Sequence, residues 1–183
     1  FDKIHTFHKP LLSFCKKQLS TNAHYGLRFW SQHLQVLAQH PGNNETQQQW
    51  YQQALWDLVH NPQFIERKYN ALQDENSIVG DFIRAIEVYK PLDEDSIQVQ
   101  QEKIQHITTL ATTSTQTITR LANLARKQLM LYAQAGDIER VIQLAKRAGA
   151  QNLEWMTILR CAQIMIETNL DPTPLYDAID DKD

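Results

Sequence analysis

Glycine is scarce in this chain, with five in 183 residues. Phosphate-cradling loops and nucleophile elbows need clustered glycines for their backbone geometry, and no Gly-rich phosphate loop, Gly-x-Ser-x-Gly or His-Glu-x-x-His occurs. There are two cysteines, Cys15 and Cys161, far apart and each flanked by apolar residues at helical spacing. They read as buried reduced thiols, and neither has a partner at zinc-finger spacing. No apolar run approaches the ~18 residues of a spanning helix, so no transmembrane segment is expected. No stretch alternates apolar and polar residues as a strand would. The net charge of −3 provides no overall basic field for nucleic acid or an anionic membrane.

What is present is the raw material of helices, rich in Gln, Leu, Ala and Ile. Pro10 opens a first helix with Leu11, Leu12, Phe14, Cys15 and Leu19 on its apolar face, and Ser20, Thr21 and Asn22 supply stop and cap chemistry. Ala23 to His40 carries a stripe of Leu27, Trp30, Leu34 and Leu37, ended by Pro41-Gly42-Asn43-Asn44. Thr46 to His60 is a Gln-rich third helix, and Asn61-Pro62 closes it and opens a fourth through Tyr69 and Leu72. Ser77 caps a fifth that Pro91 stops.

From about 95 to 135 a single long amphipathic helix is predicted. Ile104, Ile107, Ala111, Ser114, Ile118, Leu121, Ala125, Leu129 and Tyr132 recur at steps of three and four with no Pro or Gly. Its Thr-rich centre, Thr108 to Thr119, has poor helix propensity, and continuity through 112–117 is the favoured reading. A C-terminal hairpin follows: Asp137 caps a helix ended by Gly149, and Asn152 caps a last helix, Leu153 to Thr168, apolar nearly all round. The expected fold is therefore an all-α bundle of seven to eight helices, with that last helix either buried at its centre or forming the face of an interface. A single domain spans 1–170, divided into 1–92 and 93–170, and 171–183 forms a frayed acidic tail broken by Pro172 and Pro174.

Chemistry is hard to find in this pattern. His5 with His8, Asp57 with His60 and Glu102 with His106 are pairs within helical reach, yet Glu-x-x-His is absent, so no metal site and no cofactor is expected. An acid–base pair assembled across helices, such as Glu66 or Asp81 against a histidine, has no spacing by which to recognise it. No catalytic residue is assigned.

Charge is unevenly spread. Residues 104–165 hold seven basic against three acidic side chains, and 166–183 hold one against six. Val141 to Arg160 can be laid on a helix-turn-helix, with Arg140, Lys146, Arg147 and Arg160 placed for phosphates. Trp155 is too large for the tight corner of that motif, and Glu154 would bring negative charge to the groove.

The long Thr/Gln-flanked helix also resembles the amphipathic helices of granule-coating, phasin-type proteins, which implies a surface-coating alternative. The Trp56, Asn61-Pro62 and Phe64 cluster is similar in residue type to the helical leader of polyhydroxyalkanoate synthases, at a different Trp-to-Asn spacing.

The reading these residues support is a non-enzymatic protein–protein interaction or scaffolding module, cytoplasmic and self-associating through the long helix as a coiled coil or bound to a protein partner. A DNA-binding regulator is the alternative. Trp50, Trp56 and Trp155 are the candidate interface residues, because a single small bundle struggles to bury three indoles and aromatics concentrate binding energy.

Overall fold

The computed structural model describes residues 2–18, 24–72, 74–152 and 155–180, with the side chains of 2–6, 18, 147–152 and 180 excepted. Among the described residues there are nine helices and no strand, so the all-α expectation holds. The helices are α1 (Asp2–Gln18), α2 (His24–Ala38), α3 (Glu45–Val59), α4 (Pro62–Leu72), α5 (Glu75–Val88), α6 (Ile97–Gln134), α7 (Ile138–Asn152), α8 (Trp155–Glu167) and α9 (Thr173–Asp180). Contacts divide the chain into two units, 1–115 and 116–183, with the boundary inside α6.

In unit 1, α2 is the central element and packs against α1, α3, α4 and α5. Its Leu27, Leu34 and Leu37 are buried with Leu55 of α3 and Ile78 and Phe82 of α5. The helix ends follow local chemistry. The Asn44 side chain accepts from the amide of Gln47 at 2.9 Å and caps α3. The buried Asn43 amide donates to the Leu37 carbonyl at 2.7 Å and closes the end of α2. Asp74, not Ser77, caps α5: its carboxylate accepts from the Ser77 amide, which puts Ser77 three residues inside the helix. Pro10 lies within α1 instead of opening it, since the helix already runs from Asp2. Ser20, Thr21 and Asn22, read as its stop, lie outside the described residues.

The long helix α6 is continuous over 38 residues, about 57 Å at ~1.5 Å per residue. In its Thr-rich centre Thr108, Thr109, Thr112 and Thr115 each donate the hydroxyl to the carbonyl four residues back, at 2.9–3.0 Å. Such back-bonding satisfies the hydroxyls within the helix at a slight cost to the helix itself. The expected stripe is buried only toward the C-terminus, at Leu121, Ala125 and Leu129. Nearer the N-terminus Ile104 and Ala111 are exposed, and Leu110 is the sealed residue.

Unit 2 closes around Leu129 and Ala133 of α6, Val141 and Ala145 of α7, Ile158, Cys161, Ala162 and Met165 of α8, and Leu175 and Ala178 of α9. Two of the helix ends that turn the chain here, those of α6 and α8, adopt the same motif. Gly136 has φ +73°, with the Asp137 amide on the Tyr132 carbonyl (2.9 Å) and its own amide on Ala133 (3.1 Å). Asn169 has φ 59°, with Leu170 on Met165 (2.7 Å) and its own amide on Ile166 (3.0 Å). These are Schellman caps, which need a left-handed residue at the position after the helix.

Three expectations are corrected here. First, α7 runs through Gly149 to Asn152, and the ~1 kcal/mol helix penalty of one glycine is a bias and not a stop. Second, the segment read as a frayed tail from 171 contains α9, with Leu175 and Ala178 seated in the core. Third, of the two readings of α8 the buried central helix does not hold, since half of it faces outward.

Candidate functional site

Four helices of unit 1 enclose a cleft of about 590 Å³. Each contributes a stripe at helical spacing: Lys9, Leu12, Ser13 and Lys16 from α1, Trp30 and Leu34 from α2, Trp50, Tyr51, Ala54, Asp57 and Leu58 from α3, and Gln63, Phe64 and Arg67 from α4 with Asn61 before it. The floor is apolar, since Leu34, Tyr51, Leu58 and Phe64 are buried, and Trp30 meets Phe64 edge-on with ring centroids 6.0 Å apart. Trp50 stands at the rim, 60% exposed, edge-on to Tyr51. Burial raises the Tyr51 phenol, which keeps it neutral.

Also in unit 1 lies a largely buried charge cluster. The Lys68 ammonium donates to Asp81 Oδ2 at 2.6 Å and to the Ser77 carbonyl at 3.1 Å, and the two paired side chains are 1% and 4% exposed. Ser31 donates its hydroxyl to Asp81 Oδ1, and Arg84 reaches the same oxygen at 3.2 Å. Burial pushes the Asp81 carboxyl up and the Lys68 ammonium down, and their mutual attraction opposes both shifts. Asp81, considered in the sequence as an acid against a histidine, is thus held by a lysine, a serine and an arginine. With Lys68, Ser31 and Asp81 buried and Arg84 reaching the surface, the cluster ties α2, α4 and α5 together.

Four of the histidines, His8, His33, His60 and His106, make ring contacts. His60 stacks on Trp56 at 4.2 Å and places Nδ1 2.8 Å from the Trp56 carbonyl oxygen, while His106 stacks on Tyr89 at 4.7 Å and meets Trp56 edge-on at 5.1 Å. His8 Nδ1 lies 2.8 Å from His33 Nδ1, and Tyr25 Oη is 3.1 Å from His33 Nε2. Burial lowers both His8 and His33, and each is lowered further by a neighbouring histidine, His40 for His8 and His8 for His33. Among the described residues no three His, Cys, Asp or Glu side chains converge as a metal set.

The three tryptophans singled out in the sequence have different surroundings. Trp50 lines the cleft, Trp56 is half-buried in the histidine–tyrosine stack, and Trp155 belongs to unit 2, on the outer face of α8. That face holds Trp155 (63% exposed), Met156 (73%), Leu159 (50%) and Ile166 (60%). Trp155, Leu159 and Ile166 fall within an arc of about 40° on a helix of ~100° per residue, and Met156 flanks them.

Of the cations proposed for phosphates, Arg140 is held by Asp137 at 3.3 Å and lies over the Tyr132 ring at 5.5 Å. Lys146 and Arg160 are exposed, and the Arg147 side chain lies outside the described ones. On α8, Arg160 is accompanied by Glu167, so the helix carries no net charge.

The cleft cations Lys9, Lys16 and Arg67 were missed in the sequence. Their signal was there in the 9, 12, 13, 16 stripe of α1, which mixes two lysines with one leucine. Lys68 was missed as well, although it occupies the stripe of Phe64, Ile65 and Tyr69 that faces the core. Comparison with protein-family models, with curated proteins and with solved structures finds no match to this chain.

Proposed function

We propose that the chain is a non-enzymatic helical scaffold that pairs with a second copy of itself through the outer face of α8. The observation that carries this reading is the set of four large apolar side chains, Trp155, Met156, Leu159 and Ile166, each at least half exposed on one helix. Together they offer on the order of 500 Å² of apolar surface, at the upper end of the ~300–600 Å² patch that monomers leave open. Two such faces brought together bury roughly 1,000 Å², which reaches the size of a specific interface. The Trp155 indole, at the N-terminal end of this face, supplies the kind of aromatic anchor on which such interfaces depend.

Charge supports a self-complementary contact. Arg160 and Glu167 lie two turns apart along the same edge of the apolar face, so an antiparallel copy sets opposite charges against each other. A duplex would ask for a basic, polar face, and α8 offers one arginine beside a glutamate among exposed hydrophobics.

Sedimentation equilibrium across the micromolar range tests the proposal, with the wild type beside a Trp155→Ser, Leu159→Ser double variant. The expected result is a concentration-dependent dimer mass for the wild type and a monomer of unchanged helical content for the variant. A wild type that stays monomeric at the highest concentration, or a variant that dimerises equally well, overturns it. Loss of signal from duplex DNA at low salt in neither protein is expected, because neither should bind it.

A further inference from the structure

We propose that the α1–α4 cleft of unit 1 is a binding site for a small amphipathic anion, an alkyl or aryl body carrying one acidic head group. The cavity of about 590 Å³ falls within the ~300–1,000 Å³ typical of small-molecule sites. Four helices wall it, whereas a partner helix ~10–12 Å across takes a groove running between two elements. Its floor of Leu34, Tyr51, Leu58 and Phe64 offers an apolar contact for the body of a ligand, and Trp30 and Trp50 add flat surfaces for it to lie against.

The rim selects the sign of the ligand. Lys9 and Lys16 from α1 and Arg67 from α4 face the opening against one carboxylate, Asp57. Lys9 and Lys16 are seven residues apart, about 10 Å along a helix at ~1.5 Å per residue, and they bracket Leu12 and Ser13 on one face. An anion with its body on the aromatic floor therefore meets a cation at either end of the α1 wall. Three positive groups and one negative one at the mouth of an apolar cavity repel a cationic amphiphile of the same shape.

Titration calorimetry on the full chain tests this with decanoate, 8-anilinonaphthalene-1-sulfonate and decyltrimethylammonium. Saturable one-to-one binding of at least one anion is expected, with the ammonium compound weaker by about tenfold or more. Decanoate alone identifies an alkyl ligand, the sulfonate alone an aryl one, and either supports the site. Lys16→Glu with Arg67→Glu weakens the anion by about tenfold or more, while Lys127→Glu, the same change on the exposed part of α6 in unit 2, leaves it unaltered. If the double variant loses its helical signal in circular dichroism, Lys9→Glu alone carries the same expectation at about threefold. No saturable anion binding, equal binding of the ammonium compound, or an anion affinity indifferent to these rim charges overturns the proposal.

Discussion

Unit 1 and unit 2 are built from the same kind of helix and protect their interiors by different means. Unit 1 holds all seven histidines of the chain and buries a lysine against an aspartate. Unit 2 has no histidine, and its core cluster is aliphatic side chains, a methionine and a thiol. An ionic core fails when one partner is removed, because the other is left charged and dry. An apolar core fails in proportion to the volume removed. The comparison thus separates stability that depends on pairing from stability that depends on filling.

The sharpest break is Asp81→Ala, which strands the Lys68 ammonium on the Ser77 carbonyl and should cost about 3–5 kcal/mol in urea unfolding. Converting the whole pair, Lys68→Met with Asp81→Leu, should recover most of that loss by giving unit 1 an interior of unit 2's kind. A double variant as unstable as the single one would show that the cluster holds α2, α4 and α5 by more than charge pairing.

Next in size is Ile158→Ala, at about 2–4 kcal/mol, from a fully buried position in a close-packed core. Hydrogen exchange should locate this loss in 116–183 and leave the α2 amides protected. Exchange that rises equally in both units would remove the distinction between them.

Smaller again are the two left-handed caps of unit 2. Gly136→Ala forces a Cβ into φ +73° and should cost about 1 kcal/mol, whereas Asn169→Gly should gain a few tenths to about 1 kcal/mol, both read from Tm.

The mildest effect is that of pH. His8 and His33 titrate below the ordinary imidazole value of 6.5, so the unfolded chain takes up protons first as pH falls. Their contribution is complete above about pH 6.5 and is lost as pH drops below it through the lowered folded values. Hydrogen exchange at pH 7.5 and 5.5 should therefore show α1 and α2 loosening at the lower pH, and His33→Phe should reduce the difference to the part that His8 contributes. Equal loosening of α7–α9, which have no histidine to protonate, would contradict the assignment.

How far these features could be read in advance differs by residue. Periodicity located α2, α3, α4 and the whole of α6, since stripes such as Leu27, Leu34 and Leu37 report burial directly. It did not find α9, because Pro172 and Pro174 look like breaks. Asp171 accepts from the Thr173 amide at 2.9 Å, and a proline in the first turn has no amide that the helix needs, so the pair marks a beginning. It left α8 as either a buried central helix or the face of an interface, because hydropathy records that a side chain is apolar and not whether anything covers it. The partners of Lys68 and the lysines of the cleft depend on which helices meet. That is long-range information, and a lysine in a core stripe is the one local trace of it.

Each unit also carries one sealed thiol. Cys15 sits in α1 and Cys161 in α8, both with no exposed surface, and burial pushes Cys161 up to about 11. A thiol that is both covered and protonated does not react with an alkylating reagent until its surroundings open. Mass spectrometry that follows the two labels separately therefore clocks two opening events in one unmodified chain. Their ratio reports whether the ionic interior or the apolar one breathes more often.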